Sequence, residues 1–319
     1  MPTLPIPKAI ARVSRQFRAG GASPAAARSV AAALVMAEVD GLKGHGLSRI
    51  PTYLAMLKSA KIVGDARPVI RKTAPSVVMV DAAHGFAYPA IDLALKKLIP
   101  LALRQGIAAA GIRRSNHCGA AGHHVERLAE AGLVALMFAN TPAAIAPWGG
   151  SKAVFGTNPI AFAAPVQGRA PIVVDLAVSK VARGPIVAAN QKGEAIPEGW
   201  ALDVGGQPTT SAAAALKGTM IPLGDAKGAA LALMVEVLGA ALMGANLAFE
   251  ASSFIDDTGG PPETGQLIIA LNPAAFGGEA FTQRMLALVG AIEEQEGARL
   301  PGSRRLALRE KAARDGVMV

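Results

Sequence analysis

The chain has 319 residues, 51% of them apolar and 17% charged, with a formal net charge of +9. That balance excludes a disordered chain and provides a large core, and the length is about two domains' worth. The single cysteine, Cys118, excludes an intrachain disulfide framework and a cysteine-held metal centre.

The basic residues are scattered, and two Trp and two Tyr make no stacking platform, so no nucleic-acid partner is expected. Scattered cations among Gly-rich loops fit a phosphorylated cofactor or a carboxylate substrate better. Lys8, Arg12, Arg15 and Arg18 interrupt the N-terminal region, so no signal peptide and a cytoplasmic protein are expected. The most apolar run, Gly228 to Phe249, has Glu236 near its middle. It reads as a buried helix of about 20 residues or an oligomer interface, and no membrane span is expected.

In chain order, residues 5–39 read as two helices broken at Gly20-Gly21, with Ser23 as cap and Pro24 in the first turn of the second. Asp40-Gly-Leu-Lys-Gly-His-Gly-Leu-Ser-Arg49 comes next, with glycines at 41, 44 and 46 marking a loop. Ile50, Tyr53, Leu54 and Leu57 then have helical spacing. His45 and Arg49 are four apart and can share one side of the loop–helix junction. The Arg can hold a carboxylate bidentately while the His donates a proton to a neighbouring carbonyl. A helix start with a surface Arg is the plainer alternative.

Val77–Asp81 reads as a strand, 85–101 as a helix and Ile107–Ile112 as a second strand. The loop Ser115-Asn-His-Cys-Gly-Ala-Ala121 surrounds His117 with small residues that let backbone N–H groups approach a ligand. By itself this His reads more readily as structural than catalytic. His123 and His124 are adjacent and diverge, so no metal site is expected. Further strands are expected at Leu133–Ala139, within 154–165, at Pro171–Ala177 and at Gln266–Asn272. Thr157 and Asn158 present polar groups at a Gly-Thr-Asn-Pro turn. Asp175 closes a strand or caps the segment after it. Lys227 stands where a Gly-Asp turn feeds the apolar helix, a place suited to an anion. Phe281–Glu294 reads as a helix leading to a loop, Arg299-Leu-Pro-Gly-Ser-Arg-Arg305, that sets three guanidiniums around Pro301 and Gly302. From spacing alone the loop is a solvated basic tail. No Gly-x-Gly-x-x-Gly or Walker segment occurs, so any nucleotide is held by something other than a Rossmann fingerprint.

Taken together, DGLKGHGLSRIPTYL, RRSNHCGAAG, FGTNPIAFAAP, VVDLAVSKVARG, IPEGWALD, PLGDAKGAALALMVEVL, TGQLIIALNP and RLPGSRR make nearly the whole chain resemble the non-Rossmann malate/L-lactate dehydrogenase family. That family includes malate, sulfolactate and ureidoglycolate dehydrogenases and the reductases of Δ1-piperideine-2-carboxylate and Δ1-pyrroline-2-carboxylate. The resemblance implies an α/β fold with its own NAD(P)-binding arrangement, a mixed or antiparallel central sheet flanked by helices, and a helical region built from the two chain ends. The division it suggests is a cofactor-binding sheet domain over 73–275 and a helical substrate and dimerisation region from 1–72 and 276–319. It further implies NAD or NADP as cofactor, a small 2-oxo or 2-hydroxy acid as substrate, and a homodimer or larger homo-oligomer.

By the same resemblance His45 looks like the proton donor and Arg49 the carboxylate anchor. His117 looks like a second acid/base or a wall at the nicotinamide. Thr157 is similar to a substrate-contacting Thr. His117, Cys118, Gly119, Ala120 and Ala121 resemble a cofactor loop, and Asp175, Leu176 and Ala177 a cofactor-contacting strand end. Lys227, Arg299, Pro301, Gly302, Arg304 and Arg305 look like phosphate and adenosine contacts. Two positions depart from the pattern. Gly44 replaces a Ser found before the first His in many members, and Pro185 replaces the acidic residue that cyclic-imine reductases carry after Ala-Arg-Gly. Both favour an open-chain 2-oxo acid over a cyclic imine, and both keep a catalytically inactive dinucleotide-binding relative in view.

Overall fold

The computed structural model describes residues 3–319. Its largest element is a seven-stranded mixed sheet. In spatial order the strands are Val69–Ala74, Val77–Asp81, Ile107–Ser115, Thr264–Leu271, Val134–Ala139, Ile160–Val166 and Arg169–Leu176. Neighbours are antiparallel except Val77–Asp81 and Ile107–Ser115, which run parallel and are joined through the helix Ala87–Gln105. A parallel pair needs such a crossover because no tight turn can close it.

Alternate side chains of each strand point to opposite faces. On one face Val78, Val80, Ala110, Met137, Ala163 and Ile268 pack under the helices Ala87–Gln105 and Ala121–Glu130. On the other, Met79, Leu136, Phe138, Leu267 and Ile269 pack with Val235 and Met243 from the apolar run. Thr264–Leu271 therefore has both faces covered and is buried at most positions.

A second core joins the helices Ile6–Ala19 and Pro24–Val39 to Tyr53, Met56, Ala312 and Val317. Ser23 caps the second of these helices by accepting from Ala26 N at 3.3 Å, with Pro24 at its start. Thr3–Leu4 pairs antiparallel with Val317–Met318, so the two chain ends meet. A third, smaller core holds the helices Arg183–Lys192 and Ala212–Lys217 around Ile186, Ile196 and Met220.

Several elements differ from the sequence expectation. The edge strand Val69–Ala74 lacks an apolar alternation because its outer side faces solvent; Arg71 and Lys72 guard that edge. The apolar run does not make one long helix. Its helix is Ala226–Gly239, followed by a short 3-10 turn at Ala241–Met243 and by Gly244 in the left-handed region at φ 62°. Nor is that run fully buried: Leu231, Leu233, Met234, Val237 and Leu242 are exposed. The Arg299–Arg305 segment is not all loop, since a helix Ser303–Asp315 starts directly after Gly302. The helix Glu279–Glu293 lies against the strand Ile160–Val166, and its Glu293 takes a two-bonded ion pair from Arg169 at 2.6 and 3.0 Å. It therefore sits with the sheet rather than with the N-terminal helices.

Candidate active site

The glycine-rich loop after Pro24–Val39 folds as two short 3-10 turns, Lys43–His45 and Leu47–Arg49, before the helix Ile50–Lys58. Glu38 organises it. Its carboxylate accepts from Leu47 N at 3.0 Å and pairs with Lys43. A Cβ at Gly46 would come within 2.4 Å of that carboxylate, so the glycine permits the close approach.

This fold puts His45 against the other candidate imidazole. The rings of His45 and His117 stack with centroids 5.2 Å apart and planes 12° apart. Arg49 lies beside them. Its Nε donates to Gly44 O at 2.7 Å and its Nη1 to Phe254 O at 3.1 Å, and it has no carboxylate partner among the described residues. Burial, then the Arg49 charge, push the His45 imidazole down to about 4. The same causes, with His45 itself, hold His117 well below its ordinary value. Both rings are therefore neutral near pH 7. His45 Nδ1 is buried without a hydrogen-bond partner.

His117 follows the strand Ile107–Ser115, and its N–H is fixed by Asn116 Oδ1 at 2.7 Å. Its ring meets Phe254 edge-on at 5.3 Å, and its Nδ1 lies 2.7 Å from the Tyr53 hydroxyl. The segment carrying Phe254 is tied down by Lys61, a fully buried side chain that donates to Asp256 O at 3.1 Å and Thr258 O at 2.6 Å. Gly119 is left-handed at φ 71°, and a Cβ there would meet the Tyr88 hydroxyl at 2.7 Å. Cys118 is buried, and burial pushes its thiol up to about 12, so it is an inert wall. Ala120 precedes the helix Ala121–Glu130. Asp175 reaches that helix from the neighbouring strand and accepts from Gly122 N at 2.7 Å, so it caps a helix remote in sequence. Leu176 and Ala177 follow it at the strand end.

Thr157 lies on a separate polar knot. Its N–H donates to Thr141 Oγ1 at 2.9 Å, and the two hydroxyls are 3.2 Å apart. Next to it Asn158, fully buried and at φ 40°, donates to Glu236 at 2.8 Å. Glu236 also accepts from Ala248 N at 2.7 Å and Asn140 Nδ2 at 3.3 Å. The carboxylate that interrupts the apolar run thus holds together three turns.

The outlying cations divide. Lys227, in the first turn of its helix, is exposed, as are Arg299, Pro301 and Arg304; Gly302, at φ 90°, stands immediately before the last helix. Arg305 is not a free cation: its Nη2 donates to Glu126 at 2.9 Å and its Nε lies 3.6 Å from Asp40. Arg309, which no local pattern in the chain singles out, makes two-bonded contacts to both Asp40 and Glu126, and His123 lies 2.8 Å from Asp40. Burial raises the Asp40 carboxyl, but His123 and Arg309 outweigh it and the net direction is down. This cluster clamps the last helix to Asp40, at the root of the His45 loop, and to the helix after the His117 loop. Among the described residues no three His, Cys, Asp or Glu side chains are grouped to hold a metal.

Comparisons with known proteins agree on one family. Residues 4–319 match the family described as malate/L-lactate dehydrogenase. The chain is 53% identical over 285 residues to a (2R)-3-sulfolactate dehydrogenase (NADP(+)) of Chromohalobacter salexigens, covering 89% of this chain and 85% of that protein. It is 43% identical over 308 residues to a Δ1-pyrroline-2-carboxylate/Δ1-piperideine-2-carboxylate reductase of Pseudomonas putida, covering 95% and 89%. The crystal structure of the Δ1-piperideine-2-carboxylate reductase of Pseudomonas syringae pathovar tomato superposes with a TM-score of 0.94 at 40% identity, covering all of this chain and 96% of that one. With its mixed sheet, its lack of a Rossmann fingerprint and its two facing imidazoles, the chain belongs to the malate/L-lactate dehydrogenase family.

Proposed function

We propose that the protein is an NAD(P)-dependent oxidoreductase that interconverts an open-chain 2-hydroxy acid and its 2-oxo acid. The observation that carries this reading is the stacked pair His45 and His117 beside an Arg49 with no carboxylate partner. Arg49 takes the substrate carboxylate, the imidazoles face the oxygen that gains or loses a proton, and Phe254 bounds the pocket.

The residues present fit a dinucleotide. Asn116 Nδ2 and Gln266 Oε1 are buried without partners, one donor and one acceptor next to His117 in chain or space, which matches what a carboxamide offers. Cys118 to Ala121 carry small side chains beside His117, the Asp175–Ala177 strand end lies against the helix they open, and Lys227, Arg299 and Arg304 are exposed cations for its phosphates. When bound, the dinucleotide supplies or accepts the hydride. The high identity to an NADP(+)-linked sulfolactate dehydrogenase makes NADP and sulfopyruvate the first pair to try.

The test is to mix purified protein with NADPH or NADH and a panel of sulfopyruvate, oxaloacetate, pyruvate and Δ1-piperideine-2-carboxylate, following absorbance of the reduced cofactor. Turnover of an open-chain acid is expected, and His45→Ala should lower its kcat by about 10²-fold or more, because one of the two imidazoles at the reacting oxygen is lost. The relatives that reduce cyclic imines make that substrate the second reading, and Pro185 speaks against it. Turnover of the imine alone would defeat the open-chain reading. Cofactor binding without any turnover would support an inactive binding protein.

The exposed leucines and valine of Ala226–Gly239, with Leu242, form the apolar patch that a second copy of the chain would cover. Wild-type protein should run as a homo-oligomer in light scattering, and Leu233→Glu should shift it towards monomer; a monomeric wild type would refute this part. The cytoplasm is the proposed compartment, consistent with a lone, buried, unpaired Cys118.

A further inference from the structure

A file of three hydrogen-bonded side chains leads from the imidazole pair into the protein. His117 Nδ1 is 2.7 Å from the Tyr53 hydroxyl, which is 3.1 Å from the Tyr88 hydroxyl. All three are buried, at 8%, 1% and 3% exposure. Tyr88 also lines a cavity of about 380 Å³ with Asp92, His123, His124, Arg127 and Glu130. Asp92 and Arg127 are nearly half-exposed, so the cavity wall reaches solvent. Neither His45, Arg49, His117 nor Thr157 lines it.

The electrostatics set a problem that this file solves. His117 is neutral, so its only N–H proton cannot leave for a substrate oxygen unless a proton arrives at the other ring nitrogen in the same step; otherwise an imidazolate would form. Burial pushes the Tyr53 hydroxyl up to about 12 and Tyr88 well above its ordinary value, so both remain O–H donors.

We propose that Tyr53 and Tyr88 form a proton relay that resupplies His117 Nδ1 from the cavity on the far side of the active site. The inference rests on the oxidoreductase reading above. In the reducing direction the carbonyl carbon gains the hydride and the carbonyl oxygen takes the Nε2 proton of His117. Nδ1 takes the Tyr53 proton, Tyr53 takes that of Tyr88, and Tyr88 takes one from cavity water, which is reprotonated by bulk solvent where the cavity wall is exposed. One hydride and one proton are consumed, and every side chain ends neutral. When product leaves and water reaches Nε2, the file runs backwards and restores the starting tautomer. The relay makes His117 the proton source during the chemical step. It leaves His45 as the neutral neighbour that fixes the substrate and the stack.

Tyr88→Phe cuts the file one link away from the imidazole, and Tyr53→Phe removes its direct partner. Phe17 and Phe86 already surround Tyr53 with ring centroids 6.4 and 5.5 Å away, so a phenyl ring packs there. Tyr53→Phe should lower kcat by about 10²-fold and Tyr88→Phe by about tenfold, with substrate KM and cofactor Kd nearly unchanged. The solvent deuterium isotope effect on kcat should change in both. Independently of turnover, ¹⁵N spectra of histidine-labelled protein should show His117 protonated at Nε2 and accepting a hydrogen bond at Nδ1, and this preference should be lost in Tyr53→Phe. A wild-type kcat and isotope effect in Tyr88→Phe would overturn the relay, as would a His117 protonated at Nδ1 in the resting protein. If the wild type turns over none of the acids, the proposed activity fails, and the ¹⁵N spectra still decide the relay.

Discussion

Arg49→Ala should lower kcat/KM for a 2-oxo acid by about 10²- to 10³-fold, carried mostly by KM. Removing one partner of a buried charge-assisted pair costs about 2–5 kcal/mol, and in the proposed reading the partner is the substrate carboxylate. The side chain also ties Gly44 O and Phe254 O together, so its loss loosens both the His45 loop and the Phe254 wall. Arg49→Lys should recover only part of the loss, because an ammonium cannot make the parallel two-bonded contact. Steady-state kinetics on both variants, with thermal unfolding as a control for folding, measures this. A lysine enzyme with wild-type KM would remove Arg49 from the carboxylate role.

Glu236→Ala should destabilise the fold by about 1–3 kcal/mol, the cost of leaving a buried donor unsatisfied. Ala248 N loses its partner, while Asn140 Nδ2 and Asn158 Nδ2 lose the carboxylate but keep Asn246 O and Ala232 O. Glu236→Gln keeps one acceptor oxygen but turns an NH₂ towards other donors, so it should lose less than alanine and more than nothing. Urea unfolding of the two variants gives the comparison. An alanine variant as stable as the wild type would mean that water replaces the carboxylate among those turns.

These two residues mark the boundary between what the chain shows locally and what only the fold creates. Arg49 and His45 announce themselves through local chemistry: glycines that force a loop, then an imidazole and a guanidinium at helical spacing. His117 sits in the same kind of local signal, small residues after an apolar strand. Glu236 carries no such signal, because its partners Asn140 and Asn158 lie 96 and 78 residues away in the chain. Tyr53 reads as one apolar position of a helix, and its hydroxyl acquires a role only when His117 arrives from another segment. Phe254 and Lys61 are likewise joined by long-range contacts. Arg305 groups with its neighbours by charge, yet Glu126 and Asp40 claim it once the last helix docks. The strands are legible where both faces are apolar and invisible at Val69–Ala74, where one side is solvent.

Thr264–Leu271 also governs how the protein is made. This strand fills the gap between Ile107–Ser115 and Val134–Ala139, but it leaves the ribosome long after both of them. Until it arrives, both strands lack the partner that satisfies one of their hydrogen-bonding edges in the finished sheet. The His117 loop hangs from the end of one of them, so the surroundings of His117 take their final shape only once that strand is paired. The sheet can close only after that strand emerges, and pairing across such a sequence distance is slow.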